Sequence, residues 1–163
     1  MCVIDSMHNL FLGTAKRVFS KWIESDIIGK AGLENIQSRI EEISTSSDIG
    51  RLPWNIKSNY GRYTAAQWKN FVLLYSMYAL KDTLPEEHLH YWQSFVLACR
   101  LLCKPCITKT ELMLADCKLM DFLNEKLNGK LAISPNMHLH IHLTECVENY
   151  GSICGFWLFS FER

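Results

Sequence analysis

Residues 134–162 read SPNMHLHIHLTECVENYGSICGFWLFSFE. Ser134 and Pro135 open a helix: the hydroxyl can accept from the first-turn backbone, and proline's missing N–H costs nothing at the first helical position. Asn149-Tyr150-Gly151 closes it, since glycine can take the left-handed conformation just beyond the last turn. Within this helix His138 and His142 are four residues apart and share a face, while His140 points elsewhere. Beyond the stop, Phe156, Trp157, Phe159 and Phe161 surround Glu162 with apolar surface. A carboxylate in that setting is costly unless it is paired or binds a cation, so Glu162 is a site candidate.

The rest of the chain has the same helical grain. Residues 6–28 place Met7, Leu10, Phe11, Ala15, Val18, Phe19, Trp22 and Ile23 at three-and-four spacing, with Lys16, Arg17 and Lys21 opposite. Residues 32–43 repeat the pattern with Leu33, Ile36, Ile40 and Ile43. A polar break over 44–50 follows, and Leu52-Pro53-Trp54 begins an irregular stretch. Thr64 predicts the N-cap of a helix through Leu80, Pro85-Glu86-Glu87 the first turn of one running to about Lys104, and Thr108 the cap of a third over 109–128. No run alternates strongly enough to assert a sheet, so the expected fold class is mainly α.

With 163 residues, 48% of them hydrophobic, and no formal net charge, the chain has material for one globular core. It lacks the ~20 consecutive apolar residues of a membrane span and the basic-then-apolar start of a signal peptide. The expectation is a soluble intracellular protein with no membrane partner. Its seven cysteines are an odd set lying mostly in helical patterns, and reduced, buried thiols are expected. An apolar start at Met1-Cys2-Val3-Ile4 and an end directly after the aromatic cluster suggest a segment of a longer reading frame. There is no Walker loop, dinucleotide fingerprint or Gly-x-Ser-x-Gly elbow, and nothing supports a nucleotide-binding or hydrolase reading.

Three further constellations carry chemistry. Asp5 can cap the first helix and, with His8 one turn in, fix an imidazole tautomer. His138 and His142 have the spacing of half a zinc site, which needs two more ligands. Cys103 and Cys106 are candidates within the chain, although ligands from outside it are the stronger expectation. Residues 51–81 hold Arg51, Lys57, Arg62, Lys69 and Lys81 with no acid, interleaved with Trp54, Tyr60, Tyr63 and Trp68. Phosphate neutralisation plus base stacking uses such a mixture, yet a solvated face over core aromatics is the simpler reading.

Four blocks, Asp5-Ser-Met-His8-Asn-Leu-Phe-Leu-Gly13, Thr64-Ala-Ala-Gln-Trp-Lys69, Asn136-Met-His-Leu-His-Ile-His-Leu143 and Phe156-Trp-Leu-Phe-Ser-Phe-Glu-Arg163, span nearly the whole chain. In this order they resemble the successive blocks of CACTA (En/Spm-like) transposases. The resemblance implies a ribonuclease-H-like core with two catalytic aspartates and one glutamate, the last corresponding to Glu162. It makes residues 1–133 a helical insertion, and 134–163 the histidine helix with the glutamate-bearing helix that returns to the core. Asp5 and His8 match the family's Asp-x-x-His motif, a support of the site. His138 and His142 match half of a zinc site, with His140 extra. Implied cofactors are Mg²⁺ or Mn²⁺ at Glu162, and a structural zinc. Implied partners are transposon-end DNA, met by Arg51, Lys57, Arg62 and Lys69, the remainder of the catalytic core, and a further copy of the chain, all in the nucleus. Both core aspartates are absent from this sequence, so the segment alone is expected to be inactive. The alternative is a transposon-derived helical module that binds DNA or protein without chemistry.

Overall fold

A computed structural model describes residues 4–43, 53–128 and 134–156, with backbone only over 125–128. Among the described residues every regular element is helical. A π-helical segment, Met7–Ala15, runs straight into α1, Lys16–Glu24, and then come α2, Lys30–Glu42, and the short α3, Ile56–Asn59, with a 3₁₀ turn at Tyr60–Arg62. α4, Ala65–Asn70, continues through a second π-helical segment, Phe71–Tyr75, into α5, Ser76–Leu80. α6, Glu86–Leu102, and α7, Lys109–Asn128, form a hairpin with the most extensive helix pairing among the described residues. The chain then passes through α8, Pro135–His138, a 3₁₀ turn, Leu139–His142, and α9, Leu143–Tyr150, to a last 3₁₀ turn at Ile153–Gly155.

Local chemistry sets these boundaries. Thr64 Oγ1 accepts from the Gln67 backbone N–H while Gln67 Oε1 accepts from the Thr64 N–H, a reciprocal capping box that starts α4. The same arrangement links Thr108 and Glu111 at the start of α7. Glu86 and Glu87 lie in the first turn of α6, where the backbone dipole favours negative charge. Ser134 Oγ accepts from Met137 N–H at 3.3 Å, and α9 ends at Gly151, whose φ of +83° suits a residue without Cβ.

One apolar core draws on residues from Leu10 to Ile153. Its centre is aromatic: Phe19 meets Trp22, Trp68 and Phe71 edge-on, and Trp22 meets Trp92 at 5.1 Å between centroids. Trp68 therefore has a packing role, at 0% exposure, and Gln67 beside it a capping role. The apolar face predicted for 6–28, and Leu33, Ile36 and Ile40 of the one predicted for 32–43, line this core, as do apolar residues of the helices predicted over 64–80, 85–104 and 109–128. No helix among the described residues is long and apolar enough to cross a membrane.

Candidate functional site at the seam of two sequence blocks

The first and third sequence blocks, more than 120 residues apart, lie against each other. Asp5 sets the start of the first. Its carboxylate accepts from the backbone N–H groups of Met7, at 3.2 Å, and His8, at 3.3 Å, and Oδ2 also pairs with His8 Nδ1. The predicted cap and the predicted carboxylate–imidazole pair are thus one arrangement. With Nδ1 held by Asp5, chemistry at this half-exposed imidazole would run through Nε2.

From Asn9 onward the π-helical backbone makes the seam. Asn9 Nδ2 donates to the Asn136 carbonyl oxygen at 2.6 Å. Gly13 lies directly beneath Asn136, so that a Cβ at position 13 would collide with the Asn136 amide and stand 2.8 Å from the His8 carbonyl oxygen. Thr14 Oγ1 and His140 Nε2 are hydrogen-bonded at 2.9 Å, and both residues are fully buried. Phe95 and Phe122 stack on the His140 ring, each at 6.1 Å. His140 does point away from its neighbours, and the reason is that it is a core residue joining α6, α7 and the first block.

His138 and His142 remain on the outer side, with ring centroids 6.2 Å apart and planes nearly perpendicular at 82°. They are neighbours even though a 3₁₀ turn lies between them. Glu145 Oε2 is 3.2 Å from His142 Nδ1, the kind of carboxylate that orients an imidazole toward a metal through its other nitrogen. This chemistry fits two of the four ligands of a zinc site, with His142 binding through Nε2. Among the described residues no group of three or more metal-ligating side chains is assembled, so the ion would take its other ligands from elsewhere. Asp5 does not fit a divalent hard cation here, because its oxygens are committed to two backbone N–H groups and His8.

Other expected site residues are dispersed. Glu162 and Arg51 lie outside the described residues, as do Trp157, Phe159 and Phe161. Lys57 pairs with Glu34 of α2 at 2.5 Å, so the acid-free stretch acquires an acid from another helix. Arg62 is exposed. Lys69 is half-buried, and its charge is felt at the Cys103 thiol, which burial pushes up to about 12. Tyr63 and Trp68 are core residues at 4% and 0% exposure, whereas Trp54 is 59% exposed. Cys99 and Cys146 are buried as expected, but Cys106 and Cys117 are exposed, and neither Cys103 nor Cys106 joins the histidines in a metal-ligating group.

Sequence reasoning missed Asn9, Thr14, Asn136 and Glu145. The first and third belong to the quoted blocks, but a polar residue's distant partner has no local signature. No family model, curated protein or solved structure matches the chain.

Proposed function

We propose that the chain is the helical part of the catalytic region of a CACTA-like transposase, a cut-and-paste enzyme whose complete form cleaves and joins DNA strands at transposon ends. The observation that carries this reading is the seam. The Asp-x-x-His block and the histidine block, singled out on sequence grounds alone, pack against one another: Asn9 bonds to Asn136, Gly13 lies beneath it, and Thr14, the residue after the first block, bonds to His140.

In this proposal the insertion holds a fixed frame for the core that carries the chemistry. Asp5 and His8 lie at the entry from the core and hold the first helix and an oriented imidazole there. His138 and His142, with Glu145 behind, hold a structural zinc jointly with cysteines upstream. Glu162 completes a carboxylate set for Mg²⁺ or Mn²⁺, ions that in such enzymes activate the attacking oxygen and stabilise the leaving one. Arg51, Lys57, Arg62 and Lys69 are the proposed phosphate contacts, with Lys57 weakened by Glu34. The setting is the nucleus, with DNA ends, the rest of the core and a second copy as partners.

The test is end cleavage and strand transfer by the complete reading frame containing this chain. Glu162→Gln should abolish cleavage and leave DNA binding intact. Cleavage retained by that variant overturns the assignment.

A further inference from the structure

Trp54 is the described tryptophan that the core does not take: Trp22, Trp68 and Trp92 are fully buried, whereas Trp54 is 59% exposed. Leaving an indole in water forgoes burial that would otherwise stabilise the fold. Its backbone is nevertheless fixed. Pro53 and Ile56, on either side of the Trp54-Asn55 turn, are buried. Asn55 holds a left-handed conformation at φ +52°, which asparagine tolerates better than most residues. The Tyr63 hydroxyl donates to the Trp54 carbonyl at 3.0 Å, and Tyr63 is itself locked against Trp68 at 5.6 Å. Burial raises the Tyr63 pKa, so this donor keeps its proton.

A rigid backbone presenting an exposed indole is a preorganised stacking platform. Cationic side chains lie on the same segment. Lys57 follows Trp54 by three residues at the start of α3, Arg62 is exposed immediately before Tyr63, and Lys16 Nζ donates to the Gly61 carbonyl at 2.7 Å. Among the described residues Glu34 reaches this segment and pairs with Lys57. Aromatic surface with an excess of cations fits a base and its phosphates better than it fits an apolar or basic protein segment.

We infer that Trp54 is a stacking site for an unpaired nucleobase, with Arg62 and Lys16 on the flanking phosphates. The inference rests on the DNA-handling function proposed above and names a single-stranded substrate for it. Fluorescence anisotropy of the complete reading frame containing this chain with a labelled oligothymidylate of about 15 nucleotides, an abasic strand of equal length and a duplex tests it. The thymidylate should bind more tightly than the abasic strand. Trp54→Ala should weaken thymidylate binding about five- to a hundred-fold, Trp54→Tyr should retain most of it, and Arg62→Gln should lower the salt dependence. Because the indole is exposed, circular dichroism of Trp54→Ala should match the parent. Equal thymidylate binding by Trp54→Ala, or equal binding of abasic and thymidylate strands, overturns the stacking site and leaves the proposed function standing if the duplex binds. Binding of neither form overturns both. A Trp54→Ala variant that changes only self-association assigns the indole to a protein contact and overturns the inference.

Discussion

Gly13→Ala tests the seam between the two blocks directly. An added Cβ would stand 2.8 Å from the His8 carbonyl oxygen, well inside the 3.4 Å at which ordinary contact begins, and would overlap the Asn136 amide. The amide is the tip of an exposed side chain and can swing away. The carbonyl belongs to the π-helical backbone and cannot move without shifting Asp5, His8 and Asn9 with it. Overpacking of this kind costs about 1–3 kcal/mol, against which alanine returns up to about 1 kcal/mol through its better helix propensity. The net expectation is a loss of about 1–2 kcal/mol, or roughly 2–8 °C in Tm for a domain of this size. Urea denaturation followed by tryptophan fluorescence measures it, with Gly61→Ala as the control, since a Cβ there meets nothing within 4 Å. Adding Asn136→Ala should recover the part of the loss that arises from the amide and leave the part that arises from the carbonyl. A Gly13→Ala protein as stable as Gly61→Ala would refute the close approach and, with it, the packing of the two blocks.

Other perturbations probe separate parts of the molecule. Thr14→Val leaves the buried His140 Nε2 without its hydroxyl partner and should cost about 1–3 kcal/mol by denaturant titration; an unchanged midpoint would mean that the bond contributes nothing. Thr64→Ala removes a capping box and should cost about 1 kcal/mol, with the loss of protection in hydrogen exchange concentrated in the first turn of α4. Hydrogen bonds from Lys104 and then Thr108 hold the Glu111 carboxyl near a pKa of about 2, so its contribution is complete above the ordinary value of 4.5 and fades as pH falls through about 2. A carboxyl NMR titration should show that midpoint, and Lys104→Met should move it upward. Under native conditions an alkylating reagent should modify Cys106 and Cys117 ahead of Cys99 and Cys146, which mass spectrometry can order.

Much of the fold was legible because its signals are local. The helix starts at Thr64, Pro85, Thr108 and Ser134 depend on side chains within three residues of the backbone they cap, and the apolar faces follow a fixed period. The π-helical character of Met7–Ala15 and Phe71–Tyr75 was not legible, because one extra residue in a turn leaves nearly the same spacing of apolar positions. Partners across the fold were equally hidden. The stretch 51–81 has no acid of its own, and only the packing of α2 beside α3 brings Glu34 to Lys57. Similarly, Trp54, Tyr63 and Trp68 are interchangeable aromatics in the sequence. Burial divides them into two core residues and one exposed indole, and burial depends on the whole chain.

Stability alone gives little reason for the composition of the seam. Asn9 and Thr14 are buried polar residues on a helix that otherwise presents Met7, Leu10, Phe11 and Ala15 to the core, and Ser6 is buried beside them. Ser6 Oγ and Asn9 Oδ1 have no hydrogen-bond partner among the described residues. Each such atom costs about 1–3 kcal/mol relative to a satisfied one, and alanine at Ser6 or leucine at Asn9 would avoid it. What the polar residues add is register. An apolar helix could slide or rotate on α8 at little cost, whereas the Asn9 bond to Asn136 and the Thr14 bond to His140 can form together in one alignment only. That alignment fixes the first block relative to the segment that carries His138 and His142. Exchanging Asn9 and Thr14 together for leucine and valine therefore separates the two roles. The chain should keep its helicity and lose the single set of sharp histidine resonances in a proton–nitrogen NMR spectrum; a double variant with the parent's histidine spectrum would show that packing alone sets the register.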